Sequence, residues 1–172
     1  MKKITVVIDM QNDFIDGALG TPEAVAIVEN VKARIREYDQ ADIFVTMDTH
    51  APNYLETQEG RNLPVEHCIK GTEGWRIRKD IAKLLPDWHV YEKPTFGSVA
   101  LAKDIAEIAA NEEIEIEVLG LCTDICVVSN ALLLKAVMPE VPISVDSSCC
   151  AGVTPARHEA ALERSGFASV RP

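Results

Sequence analysis

No uncharged stretch of this 172-residue chain approaches the roughly 20 residues needed to cross a bilayer. The opening MKKITVVIDMQNDF has two lysines but only a short apolar run before Asp9, which argues against a signal peptide. Basic charge is scarce as well. Seventeen Lys+Arg against 27 Asp+Glu leave a formal charge of −10, which opposes nonspecific binding to nucleic acid or to an anionic membrane. Repeats, low-complexity tracts and Gly- or Ser-rich linkers are missing, and the length suits one domain spanning residues 1–172. There is no C-x-x-C pair, so a thiol redox protein ranks last. The five cysteines, an odd number without a secretion signal, read as reduced thiols of a cytoplasmic protein. What is present is ordinary globular composition, 47% apolar and 26% charged, which excludes general disorder.

Short apolar, β-branched runs alternate with longer segments of helical period. Strands are expected at Ile4–Ile8, Ile43–Thr46, Trp88–Tyr91, Ile114–Leu119 and Val141–Val145, with a short sixth at Phe167–Val170. Helices are expected at Pro22–Tyr38 behind a Thr21 cap, at Ser98–Ala110, at Asp124–Val137, and at Pro155–Arg164 between Thr154 and Gly166. That order predicts an α/β fold, a mostly parallel sheet with helices on both faces. Asp48–Gly74 breaks the alternation. A loop of that length in a compact domain is usually functional or disordered, and two of the four histidines lie in it.

Ligands of an open parallel sheet bind beyond the carboxyl ends of its strands. The polar residues that follow the expected strands are Asp9, then Asp48-Thr49-His50, then Glu92-Lys93, then the run from Gly120 to Cys126, then Asp146. A carboxylate, an ammonium and a thiol therefore converge on one rim. Cys126 falls in the first turn of a helix, where unpaired amides and the helix dipole would lower its pKa, with Asp9 as proton acceptor and Lys93 as neighbouring cation. The alternative is a buried structural cysteine. Asp48, His50 and His67 are ligand types for a divalent ion, with Glu59 or Glu56 as a fourth and Cys68 as a weaker candidate. Zn²⁺ is the default, and Mn²⁺ or Fe²⁺ suit the same oxygen and nitrogen donors. A D-x-H triplet alone is a weak signal, and its position beside the thiol is what raises it. Phe14, Trp75 and Phe96 are loop aromatics that could line an apolar pocket or simply pack. His89 and His158 have no evident role in this pattern.

These residues resemble the isochorismatase-like cysteine hydrolases, the superfamily that includes the nicotinamidases and pyrazinamidases. The resemblance is carried by VIDMQNDF with Asp9, by TMDTHAPNYLETQEGRNLPVEHCIKGTEGW with Asp48, His50 and His67, by EKPTFGS with Lys93, and by GLCTDICVVSNAL with Cys126. It covers nearly the whole chain. It implies a three-layer, Rossmann-like fold of about six parallel strands, an Asp9–Lys93–Cys126 triad and a cis peptide at Leu121–Cys122. It also implies an oxyanion hole from the backbone amides of Cys122 and Cys126, a small amide substrate and a homo-oligomer. Leu63 stands where nicotinamidases commonly have tryptophan, in a W-P-x-H-C context, and Ile125 where an aromatic often precedes the nucleophile. Both belong to the implied substrate pocket. Other substrates of the superfamily, ureido or carbamoyl amides and vinyl ethers, are alternatives, as is a silent binding protein.

Overall fold

The computed structural model describes residues 1–163 and 169–171. Six strands form one sheet: β1 (Lys2–Ile8), β2 (Ile43–Asp48), β3 (Val90–Lys93), β4 (Ile114–Leu121), β5 (Ile143–Ala151) and β6 (Ser169–Arg171). Their order is β3-β2-β1-β4-β5-β6, and each neighbouring pair is parallel. β1 and β4 occupy the centre, which is why ITVVI and the apolar positions of IEIEVL are buried without a solvent-facing alternation. Each strand expected from the sequence is present, with boundaries moved by a few residues. Phe167 and Ala168 of the expected sixth strand, Arg164 at the end of the expected last helix and Gly166, expected to stop it, lie outside the described residues.

Helices in the β1–β2, β3–β4, β4–β5 and β5–β6 connections flank the sheet. α1 (Pro22–Ala26) and α2 (Val28–Ile35) replace the single expected helix, which divides at Ile27 and ends before Tyr38. Thr21 caps α1, its hydroxyl accepting from the Ala24 amide at 3.0 Å. α3 (Val99–Ala109) is capped by Ser98 and buries Leu101, Ala102 and Ile105, one stripe at helical spacing. α4 (Val128–Val137) packs against α3, and α5 (Pro155–Glu163) has Thr154 accepting from the Arg157 amide at 3.3 Å. Right-handed crossovers put α1 and α2 on one face of the sheet and α3 and α4 on the other, giving three layers. No helix among the described residues is long and apolar enough to cross a membrane.

Strand order reverses between β1 and β4, and a crevice opens beyond the carboxyl ends of strands at such a switch point. Asp9 follows β1 there, and Cys122 to Cys126 follow β4. Gly120 makes the close approach of the two strand ends workable. Its φ of +119° is rarely open to other residues, and an added Cβ would overlap the carbonyl of Ile8. Gly120→Ala is expected to lower stability by at least about 2 kcal/mol. Urea unfolding monitored by tryptophan fluorescence checks this; an unchanged midpoint would contradict it.

The long Asp48–Gly74 loop is structured. It contains a 3₁₀ turn (Tyr54–Glu56) and a short helix (Gln58–Asn62), and it returns to its start through a bridge between His50 and Ile69. The return is what brings His67 back to His50.

Candidate active site

Asp9, the first residue past β1, takes a left-handed φ of 47° and is fully buried. Aspartate tolerates that region better than most residues, and here it turns the chain out of the central strand. Thr46 Oγ1 donates to Asp9 Oδ1 at 2.6 Å, and Lys93 Nζ, at the end of β3, lies 2.6 Å from Asp9 Oδ2. The same ammonium reaches Asp48 Oδ1 at 3.3 Å, the Thr95 carbonyl at 3.1 Å and Cys126 Sγ at 3.5 Å. The structure thus brings Asp9, Lys93 and Cys126 into one contact group, although 33 and 117 positions of sequence separate the thiol from the other two.

Cys126 sits in a π-helical turn, Thr123–Val127, that leads into α4. Its surroundings correct one expectation. Burial, followed by the charge of Asp9, pushes the thiol well above its ordinary pKa, and Lys93 offsets only part of this. The helix-terminus argument would have given a resting thiolate; desolvation outweighs it. Burial raises the proton affinity of Asp9, and the charge of Lys93 opposes that shift. Lys93 is held in its charged form: burial opposes that, but the neighbouring carboxylates Asp9 and Asp48 prevail.

The Leu121–Cys122 peptide bond is cis. Cys122 and Cys126 both line a cavity of about 190 Å³, below the range usual for drug-sized ligands. Phe14, Leu63, Phe96 and Ile125 line it too, together with Leu19, Val153 and Arg157, which sequence reasoning missed. Trp75 does not join them. Its indole N–H donates to Thr49 Oγ1 at 2.9 Å, which holds the ring over a separate groove beside Met47 and Ile77.

Asp48, His50, Glu59 and His67 each offer one donor atom to a common centre, all four lying within 4.8 Å of one another. Asp48 Oδ2 is 3.0 Å from His50 Nε2 and 3.4 Å from His67 Nε2. Glu59 Oε1 stands 3.6 Å and 3.9 Å from the same two nitrogens. His67 Nδ1 is 2.8 Å from the Val65 carbonyl, which can only accept, so Nδ1 carries a proton and Nε2 is the nitrogen turned toward the cluster. Burial tends to raise Asp48, yet hydrogen bonds from His50 and His67 and the charge of Lys93 hold it well below the usual carboxylate range. Two imidazoles and two carboxylates turned inward fit a divalent cation. Glu56 and Cys68 stay outside the cluster.

Three further residues hold these groups in place, and none was singled out from the sequence. Gln11, fully buried, clamps the backbone of Asp48: its Nε2 donates to the Asp48 carbonyl and its Oε1 accepts from the Asp48 amide, both at 2.8 Å. Asp13 Oδ2 accepts from the Cys68 amide at 2.8 Å, next to His67. Asn130 Nδ2 donates to the Cys126 carbonyl at 2.8 Å and to the Phe96 carbonyl at 3.0 Å, while its Oδ1 accepts from the Ser98 amide at 2.9 Å. The D-M-Q-N-D-F segment therefore places one residue in the contact group and uses two others to fix the neighbouring loop.

A doubly wound sheet with a thiol, a carboxylate and an ammonium gathered at its switch point is the architecture of a Rossmann-like hydrolase. The chain belongs to the isochorismatase family, whose domain matches residues 3–170. It is 34% identical over 149 residues to the isochorismatase family protein PncA of Bacillus subtilis (strain 168), covering 77% of this chain and 78% of that protein. Among solved structures it resembles the nicotinamidase PncA of Bacillus subtilis, with a TM-score of 0.81, 26% identity and 100% of each chain covered. It also resembles the pyrazinamidase of Pyrococcus horikoshii in complex with zinc, with a TM-score of 0.77, 26% identity and 99% of each chain covered.

Proposed function

We propose that this chain is a metal-containing cysteine amidohydrolase that cleaves a small carboxamide through a thioester, with nicotinamide, giving nicotinate and ammonia, as the first substrate to test. One observation carries the reading: a thiol in contact with a buried Asp–Lys pair lies on the wall of a small apolar cavity that also borders the four-residue cluster. The family and the nicotinamidase and pyrazinamidase relatives support it.

In this mechanism Asp9 takes the proton from Cys126 Sγ, and Lys93 stabilises the thiolate as it forms. Sulfur bonds to the carboxamide carbon, and the amides of Cys122 and Cys126 receive the developing oxyanion, a contribution of about 3 kcal/mol per donor in comparable sites. The C–N bond breaks as Asp9 returns the proton to the departing ammonia. Water then adds to the thioester, releases the acid and restores the thiol. Asp48, His50, Glu59 and His67 would hold a divalent ion, Zn²⁺ by default, which when bound supplies a Lewis-acid anchor for a lone pair on the substrate. Five unpaired cysteines are consistent with a cytoplasmic enzyme.

Ammonia release from nicotinamide by the purified protein, with metal content determined on the same sample, tests this reading. Turnover with about one equivalent of metal per chain is expected. A metal-loaded protein inert toward nicotinamide and other small amides would contradict it. Gln11→Ala should weaken zinc binding by about tenfold or more, since the variant loses the clamp on Asp48 and no ligand. Titration against a competing chelator reads that change, and wild-type affinity in the variant would exclude the clamp.

A further inference from the structure

Arg157 is the one arginine or lysine, among the described residues, on the wall of the cavity that contains Cys126. The backbone sets its place. It lies in the first turn of α5, just after Gly152, where an added Cβ would stand 2.8 Å from the His158 nitrogen and 3.0 Å from Asp124 Oδ1. The Val153 amide donates to Asp124 Oδ1 at 2.9 Å, and Thr123 Oγ1 lies 2.8 Å from His158 Nδ1. α5 is thereby fastened to the same π-helical turn that carries Cys126, which sets the backbone of Arg157 relative to the thiol. Its side chain is 64% exposed, and Asp124 Oδ2 is 4.0 Å from Nη1, too far for a bidentate pair.

Hydrolysis of a neutral amide needs no guanidinium there. The adjoining walls are apolar (Leu63, Phe96 and Val153), and the cavity also borders the acidic cluster through Asp48 and Glu59. A planar, permanently charged fork within an apolar rim matches a carboxylate, which it binds through two parallel hydrogen bonds. We propose that Arg157 is a specificity-determining residue, and that the substrate is a small amide or carbamoyl compound with a carboxylate at the end opposite the scissile group. This rests on the amidohydrolase reading above and narrows its substrate class. With a cavity of about 190 Å³, both ends of such a molecule must belong to a compact compound.

Initial rates of ammonia release by the metal-loaded protein test the proposal, with three acids each set against its neutral methyl ester: 3-carbamoylbenzoate, succinamate and N-carbamoylglycine. At least one acid is expected to exceed its ester in kcat/KM by about tenfold, the effect of one charged hydrogen-bonded contact discounted for exposure. In Arg157→Gln that ratio should fall about tenfold, and Arg157→Lys should restore part of it. A second readout is independent of turnover. Benzoate should slow alkylation of Cys126 by iodoacetamide more than benzamide does, and the difference should vanish in Arg157→Gln. Esters cleaved as well as their acids, or an acid preference unchanged in Arg157→Gln, would overturn the role of Arg157 while leaving the amidohydrolase intact. Failure of the acids, the esters and nicotinamide alike would instead remove the amidohydrolase reading, and this inference with it.

Discussion

Cys126→Ala is expected to fold normally and to lose turnover by at least about 10⁴-fold, the scale on which removal of a covalent nucleophile acts. The two halves of that expectation come from different features. Cys126 is a small buried side chain, so replacing Sγ by hydrogen leaves only a minor void, costing about 1 kcal/mol. The π-helical turn is held by other groups, notably Asn130 at the Cys126 carbonyl and the Val127 amide at the Cys122 carbonyl. Chemistry has no such redundancy, because among the described residues no other thiol lies beside the Asp9–Lys93 pair. Cys122, which lines the same cavity, has burial pushing it up to about 12 and is not among the contacts of Lys93 Nζ. Steady-state ammonia release alongside a melting curve checks both halves. Residual turnover above about one part in 10³ would shift the nucleophile elsewhere.

Lys93→Met should damage stability and activity together. The ammonium is 1% exposed and faces Asp9, Asp48 and Cys126, with no bulk water to replace it. Removing one partner of a buried ionic group costs about 3–5 kcal/mol, because the remaining charge is left in a poorly polarisable site. For a chain of this size that corresponds to about 10 °C in the unfolding midpoint. Asp9 would relieve the penalty by taking up a proton, and a protonated Asp9 can no longer accept one from the thiol. Turnover should therefore fall by about 10³-fold or more. Lys3→Met, which removes an exposed pair with Glu115, is the matched control and should leave the midpoint nearly unchanged. A Lys93→Met protein as stable as wild type would mean that the ion pair contributes little.

Much of this architecture was legible in the sequence, for a physical reason. A parallel sheet places the residue after each strand on one rim, so finding five strands was enough to gather Asp9, Asp48, Lys93 and Cys126 before any contact was known. His50 and His67 followed because the loop between them was too long and too polar to be filler. What escaped were groups defined by the backbone that passes them. Gln11 clamps a strand end 37 positions away, and Asn130 reaches across to the loop before α3. Neither contact leaves a trace in periodicity or spacing. Leu19 and Arg157 were missed because they follow no strand directly, and Val153 because β5 runs on to Ala151, well past its expected end at Val145; packing of α5 on the π-helical turn brings Arg157 to the cavity. Trp75 was misplaced since aromatic character alone does not say which side of β2 the ring will cover. The direction in which Cys126 is shifted also went against expectation, because a sequence reveals a helix start but not the depth at which it is buried.

In the proposed reaction the Cys126 sulfur becomes covalently bonded to the acyl group of the substrate. Rapid acid quench of the metal-loaded protein with nicotinamide, followed by intact-mass and peptide mass spectrometry, tests it most directly. A nicotinoyl adduct is expected on the peptide containing Cys126, formed no more slowly than ammonia is released and absent from Cys126→Ala. Ammonia release at full rate with the adduct absent at every quench time, or carried by another residue, would contradict it.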